Sequence, residues 1–305
     1  MEILPLLIVL VGLSLFEIIS SIDNAVINAE VLSTVGERAK RWFLTWGMFF
    51  AVFVVRGLLP FLIVFLATPS LGIWGTLTAT FSSDPAVLTA IEHTAPLLLM
   101  GGGTFLVFLF LHWLFMEEKK YGFVGEAFIH RHAVWFYAAS SIFVATLVWH
   151  ALQADPILAF SAVVGSTAFF IIQGFKDNAS KQEEKLMSSG MSDISKVAYL
   201  EALDATFSID GVLGAFAFTF SVPLILLGNG IGAVVLRQIT VANIERIKRY
   251  AYLKNGAMYS ILALGSIMLA EAFGLHIPYW LSPIVTIFFV AFFFWKSVRS
   301  PSTAV

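Results

Sequence analysis

The sequence predicts an all-α membrane protein of nine transmembrane helices, on three observations: an apolar composition, a series of bilayer-length apolar runs, and a strict alternation of basic loops. Of the 305 residues, 59% are hydrophobic and 12% charged, with a mean hydropathy of +0.88. A water-soluble domain of this size has no use for so much apolar surface, so the composition implies lipid as the solvent. The net charge of −2 argues against a nucleic-acid partner, which calls for a basic stripe or patch. The chain has no cysteine. Thiolate metal sites, disulfides and thiol nucleophiles are therefore excluded, and any metal has to be held by oxygen or imidazole.

Crossing a hydrocarbon core of ~30 Å takes roughly 20 mostly apolar helical residues. Nine runs qualify, at about 3–32, 43–67, 96–116, 134–153, 156–174, 197–220, 222–241, 255–273 and 279–297. The first lacks the basic segment of a cleavable signal and runs on past the length of one, so it is expected to be a span. Between the runs lie turn-forming groups such as Gly36-Glu37-Arg38, Ser83-Asp84-Pro85, Asp155-Pro156, Ser221-Val222-Pro223 and His276-Ile277-Pro278. Lys and Arg of short loops collect on the cytoplasmic side of a membrane protein. Here 16 of the 18 basic residues fall after the first, third, fifth and seventh runs or at the end of the ninth, and the alternate loops have none. Nine spans fit this pattern, with the amino terminus outside and the carboxyl terminus in the cytoplasm; eight would put basic loops on both sides. The remaining two, Arg56 and Arg237, fall inside spans.

The chain also repeats itself. Glu17-Ile-Ile-Ser-Ser21-Ile22-Asp23-Asn24 in the first span matches Asp204-Ala-Thr-Phe-Ser208-Ile209-Asp210-Gly211 in the sixth: an acid, three residues, Ser-Ile-Asp, then a small or turn-favouring residue. Ala51-Val-Phe-Val-Val-Arg56 and Ala233-Val-Val-Leu-Arg237 echo each other in the spans that follow. The loop charges give the two copies opposite orientations. Inverted repeats with interrupted helices near the midplane are a transporter architecture, with the substrate site at the repeat interface. Residues 1–305 are thus expected to form one membrane domain. Residues 1–116 would be its first repeat, 134–174 an inserted helix pair, 197–273 the second repeat and 279–297 a last helix.

An ionisable side chain at the centre of a spanning helix costs ~2.5–3.5 kcal/mol on insertion scales and usually faces a bundle interior or a wet cavity. Glu17, Asp23, Asp204 and Asp210 are four such groups, set against Arg56 and Arg237. Fully ionised, they leave an excess of two negative charges, which a divalent cation, or two shared protons, would neutralise. At ~100° per residue Glu17 and Asn24 share a helix face, while Glu17 and Asp23 lie roughly 120° apart. Ser20-Ser21 with Asp23-Asn24, and Ser208 with Asp210-Gly211, are poor choices for a helix interior. A kink or unwound turn is therefore expected in each copy, freeing carbonyls to join the carboxylates. An all-oxygen set suits manganese, magnesium or calcium better than copper or zinc. The competing structural reading is an ion-pair network, in which the arginines hold the acids and never meet a cation. Ser21 and Ser208 are supporting candidates, and Glu201, one turn before Asp204, is either a ligand or a membrane-edge charge. The histidines show no metal-ligand spacing. Gly101-Gly102-Gly103 is expected to permit close helix packing, and Lys176 to Lys196 reads as a mobile loop.

These residues resemble the TerC family of integral membrane proteins, named for tellurium resistance, and in particular its nine-span bacterial branch. The resemblance rests on Glu17 to Asn24, Asp204 to Asp210, the Ala-Val segments ending at Arg56 and Arg237, and the tail from Tyr252 through His276-Ile-Pro to Ser282. It covers spans one, two and six to nine and is thin over four and five. It implies export of manganese or a related divalent cation across a bacterial plasma membrane. Glu17, Asp23, Asn24, Asp204 and Asp210 stand at the family's acidic-site positions. Where the family's second copy usually has Asp-Ser, this chain has Asp210-Gly211, which removes a hydroxyl ligand. On this reading the partners are the divalent ion and the lipid bilayer, with a homo-oligomer compatible, and no enzyme activity is expected. Two other readings compete: an intramembrane aspartyl protease using Asp23 and Asp210, for which the Gly-x-Gly-Asp signature is missing, and a metal-binding membrane scaffold.

Overall fold

A computed structural model describes residues 3–47, 49–67, 69, 72–79, 85–188, 192–248 and 250–299. The described residues are overwhelmingly helical and contain no strand. Six helical stretches are long and apolar enough to cross a membrane: Ile3–Ser20, Thr94–Met116, Trp135–Ala154, Pro156–Asn178, Leu253–Ala272 and Leu281–Arg299. They mark a multi-pass membrane protein. In chain order the helices that carry them are α1 (Ile3–Ser20), α6 (Pro85–Met116), α8 (Trp135–Ala154), α9 (Pro156–Ser188), α12 (Leu253–Ala272) and α13 (Leu281–Arg299).

The other three expected spans are helical but fall short of that criterion, two on the length of their described apolar stretch and one on its charge. The stretch expected over 43–67 follows a short helix, α3 (Glu37–Trp42). It divides into two π-helical segments, π1 (Phe43–Gly47) and π2 (Phe50–Val55), before α4 (Arg56–Ala67). The sixth becomes α10 (Asp193–Ala215), which carries Lys196, Glu201, Asp204 and Asp210. The seventh becomes α11 (Val222–Lys248), apolar only from Val222 to Gln238. These same three regions bring Arg56, Asp204, Asp210 and Arg237 into the structure. Shorter pieces complete the order: α2 (Ile22–Leu32), α5 (Gly72–Ala79) and α7 (Glu126–Arg131).

The polar stretch after Lys176 is not a loop. α9 continues as helix to Ser188, because Lys181-Gln182-Glu183-Glu184-Lys185 are good helix formers with no Pro or Gly before Gly190. Residues 189–191, like Ser83-Asp84, lie outside the described set. α10 then restarts at a capped end, where the Ser192 hydroxyl accepts from Ser195 N–H and Asp193 occupies the first turn.

The core centres on α6. Buried residues make up 72% of its spanning window, against 22–28% in α8, α9 and α13, whose apolar outer faces match a lipid environment. Trp135 and Tyr137 at one end of α8, Trp149 towards the other, and Tyr279 and Trp280 just before α13 are exposed, as interfacial aromatics are. The glycine triplet does what its composition implies. A Cβ on Gly165 of α9 would overlap the Gly101 carbonyl, and one on Gly103 would lie 2.9 Å from the Gly265 carbonyl of α12. α6 is therefore in backbone contact with a helix on each side. Beside this seam Phe169 packs against Phe105 and Phe108, with ring centroids 5.9 and 5.5 Å away.

A buried carboxylate that the sequence reading passed over fastens the chain beyond α6. Glu126 accepts from Gly122 N–H (2.7 Å), Phe123 N–H (3.0 Å), Tyr259 O–H (2.7 Å) and Asn255 Nδ2 (3.3 Å). The segment between α6 and α7 is thereby fixed to α12. With its oxygens bonded in this way, Glu126 has a structural role.

Candidate functional site

The last turn of α1 supplies Glu17, and the chain is interrupted for one residue at Ser21 before α2 begins. The interruption is slight: Ser21 N–H still bonds Glu17 O at 3.1 Å and Ala25 N–H bonds Ser21 O at 3.0 Å. Ser21 stands at the N-cap of α2 but gives no side-chain cap, because its hydroxyl donates to Glu17 Oε1 at 2.8 Å. The second copy behaves differently. α10 runs unbroken through Ser208-Ile209-Asp210-Gly211, and the Ser208 hydroxyl bonds back to Asp204 O at 2.6 Å. The kink expected in both copies is thus a single-residue break in the first and absent from the second. A serine that bonds to the carbonyl one turn earlier leaves the helical ladder in place.

Glu17 is fully buried. Its Oε1 receives Arg56 Nη2 at 2.7 Å as well as the Ser21 hydroxyl, and its Oε2 has no hydrogen-bond partner. Arg56 is the first residue of α4, directly after the widened turns of π2, a kind of irregularity frequent at functional sites. Asp204, also buried, receives Asn24 Nδ2 on Oδ1, and its Oδ2 is unpartnered. The amide oxygens of Asn24 and Asn28 are buried and unpartnered too. Glu17, Asn24, Asn28 and Asp204 line one cavity of ≈ 40 Å³, with Arg56 and Arg237 in its wall. That volume exceeds the ~10–15 Å³ needed for one water. Arg237 is held by the Phe43 carbonyl, 3.2 Å from Nη1, and by the Phe43 ring, 4.2 Å from its guanidinium carbon.

The two copies meet unevenly. Asn24 of the first copy reaches Asp204 of the second. Its counterpart, Gly211, lies against Glu17, where a Cβ would come 2.9 Å from Oε2. A side chain that serves one acid is missing opposite the other, which accounts for the unpartnered Glu17 oxygen.

Asp210 does not join this chamber. Six residues after Asp204 on a straight helix, it points roughly 120° away and lines a second, larger cavity of ≈ 460 Å³ with Ser20, His112, Glu117, Gln173 and Asp177. There its Oδ2 forms an ion pair with Lys176 of α9. Lys176 therefore enters the charge count that the sequence reading closed with two arginines. At the edge of the same cavity Lys254 donates to Glu117 Oε2, and His112 Nδ1 lies 3.6 Å from Oε1, close enough for charge but too far for a hydrogen bond. Burial pushes the Glu117 carboxyl up, but the neighbouring His112 and Lys254 outweigh it and hold Glu117 at about 2.

Glu201 lies one turn before Asp204 and outside the small cavity. Both its carboxyl oxygens are buried without partners, against Gly47 of π1. Asp23 is in the first turn of α2, and its side chain lies outside the described set. Among the described residues, no three His, Asp or Glu side chains form a metal-holding group. The small chamber has two carboxylates, Glu17 and Asp204, supplemented by asparagine oxygens. Asn28 was missed from sequence, although Asn24 and Asn28 stand one helical turn apart in an otherwise apolar stretch.

Apolar helices of membrane length enclosing a partly neutralised chamber of carboxylates and amides define a polytopic helical membrane protein with a polar interior. The chain belongs to the family described as protein of unknown function (DUF475), whose model matches residues 22–303. The match takes in Asn24, Arg56, Asp204 and Asp210 and begins after Glu17. No curated protein and no solved structure matches the chain.

Proposed function

We propose that the chain is a secondary transporter for a hard divalent cation, with manganese efflux across a bacterial plasma membrane as the specific activity. One observation carries the reading. Four buried oxygens without hydrogen-bond partners, Glu17 Oε2, Asp204 Oδ2, Asn24 Oδ1 and Asn28 Oδ1, belong to residues that line one cavity. Buried acceptors without donors are costly, and a cation with oxygen preference satisfies them. Arg56 steadies Glu17, and Arg237 in the cavity wall reduces the local negative charge, so that the ion is held and released. Of the other acids that the TerC resemblance implies, Asp23 stands beside Asn24 in sequence and Asp210 faces the larger cavity.

The same reading has nine spans, an outside amino terminus and two inverted repeats. The packing supports the repeats. α1 packs on α11, α10 packs on π2 and α4, and α6 packs on α12. First helices thus meet second helices of the other repeat twice, and third helices meet each other, as a two-fold exchange requires.

The test is manganese flux in proteoliposomes under a proton gradient or membrane potential. Wild type is expected to move the ion, and Glu17→Gln and Asp204→Asn to lose the flux while keeping the wild-type elution profile. Folded, reconstituted wild type that moves no divalent cation refutes the proposal, and metal bound but never moved returns the scaffold reading.

A further inference from the structure

We infer that Lys176 is a tethered counter-cation for Asp210, occupying in the larger cavity the place that a mobile divalent cation takes when it enters. The inference deepens the transport reading and rests on it for the identity of the ion. Lys176 comes from α9, which belongs to neither repeat, yet its ammonium reaches Asp210 in the Ser-Ile-Asp part of the repeated motif on α10. Its side chain is 9% exposed and that of Asp210 is 14% exposed. Lysine is rarely buried without a charge partner, and here one carboxylate oxygen of Asp210, Oδ2, is paired with it. The other, Asp210 Oδ1, is buried with no hydrogen-bond partner. The carboxylate is therefore half satisfied and opens on a ≈ 460 Å³ cavity that also presents Glu117, Asp177 and Gln173.

The chemistry of the pair suits exchange. An ammonium is a point charge on a flexible four-carbon stem, without the forked grip that makes an arginine pair persistent. The Lys176 ammonium also lies 5.1 Å from the centre of the Phe207 ring, a second favourable resting place for a cation. By contrast Glu17 in the small chamber is held by an arginine with Nη2 at 2.7 Å. α10 thus offers Asp204 and Asp210 to two cavities, Asp204 to one walled by Arg56 and Arg237 and Asp210 to one with a lysine ammonium. A divalent ion meeting Asp210 supplies two charges where the lysine supplied one, and it uses the oxygen that the lysine leaves bare.

Full-length protein in detergent provides the test, with Mn²⁺ as the probe. Lys176→Gln is expected to bind Mn²⁺ roughly 5–150-fold more tightly than wild type, the usual span of coupling between competing sites. Lys176→Arg is expected to bind no more tightly than wild type, and Lys176→Gln with Asp210→Asn to lose the gain. On the wild-type chain, saturating Mn²⁺ is expected to raise acetylation of Lys176 by an amine-reactive reagent, read by mass spectrometry. Unchanged affinity in a Lys176→Gln variant with a wild-type elution profile overturns the inference. So does a gain that survives Asp210→Asn, or labelling of Lys176 indifferent to Mn²⁺. A gain in Lys176→Gln alongside a wild type that binds but never transports Mn²⁺ upholds the tethered cation and rejects transport; flux with no effect at Lys176 does the reverse.

Discussion

Replacing Arg56 by Gln isolates the strongest electrostatic contact in the small chamber. Arg56 Nη2 and Glu17 Oε1 are 2.7 Å apart, and the side chains are 4% and 0% exposed. At that separation the Coulomb attraction is about 6 kcal/mol for an effective dielectric constant of ~20. Desolvation of both ions offsets part of it. Removing one member of a buried pair costs ~3–5 kcal/mol because the survivor is stranded, whereas removing both costs far less. Arg56→Gln should therefore lose ~3–5 kcal/mol, and Arg56→Gln combined with Glu17→Gln should recover most of it. The measurement is a double-mutant cycle on equilibrium unfolding in detergent, followed by tryptophan fluorescence. If Arg56→Gln stays within ~0.5 kcal/mol of wild type, or if the double variant is as unstable as the single, the pair does not hold Glu17 and the electrostatic account of the chamber fails.

Two further outcomes follow from the structure. Gly165→Ala should destabilise by ~1–3 kcal/mol through overpacking against the Gly101 carbonyl. Gly174→Ala on the same helix has nothing within 4 Å of its Cβ and should be neutral or gain up to ~1 kcal/mol of helix propensity; equal melting of the two variants would refute the close approach. For Glu117, a folded pKa of about 2 against the usual 4.5 means that its contribution is complete above the unfolded value and is lost as pH falls through about 2. Acid titration of Glu117→Gln should accordingly show a shallower loss of stability over that window than wild type, read by circular dichroism.

Much of this arrangement is visible in the residues themselves. The runs expected at 134–153, 255–273 and 279–297 correspond to Trp135–Ala154, Leu253–Ala272 and Leu281–Arg299 within two residues, because a helix facing lipid or a lipid-like core writes its length directly into hydropathy. The repeat likewise singled out Glu17, Asn24 and Asp204, which do meet. What stayed hidden depends on partners far along the chain. The widened turns of π1 and π2 reflect what packs beside them rather than local propensity. The helix carrying the third run extends back to Pro85, ahead of the span Thr94–Met116 that matches the expected 96–116 within two residues, and holds Pro96 inside it. The separation of Asp210 from Asp204 follows from α10 staying straight where its serine and glycine pointed to a break. The Lys176 pair spans 34 positions, and loop-charge counting assigned that lysine to the cytoplasmic side rather than to the core.

The bare-backbone seam formed by Gly101, Gly103, Gly165 and Gly265 has a mechanical consequence. Side chains act as compliant bushings between helices, since they change rotamer when neighbours slide, and at these four positions there are none to yield. α9, α6 and α12 are consequently locked like laminated plies. Relative movement of the helices around the small chamber is therefore left to α2, α4 and α10, which meet their neighbours through the side chains of Asn24, Arg56 and Asp204.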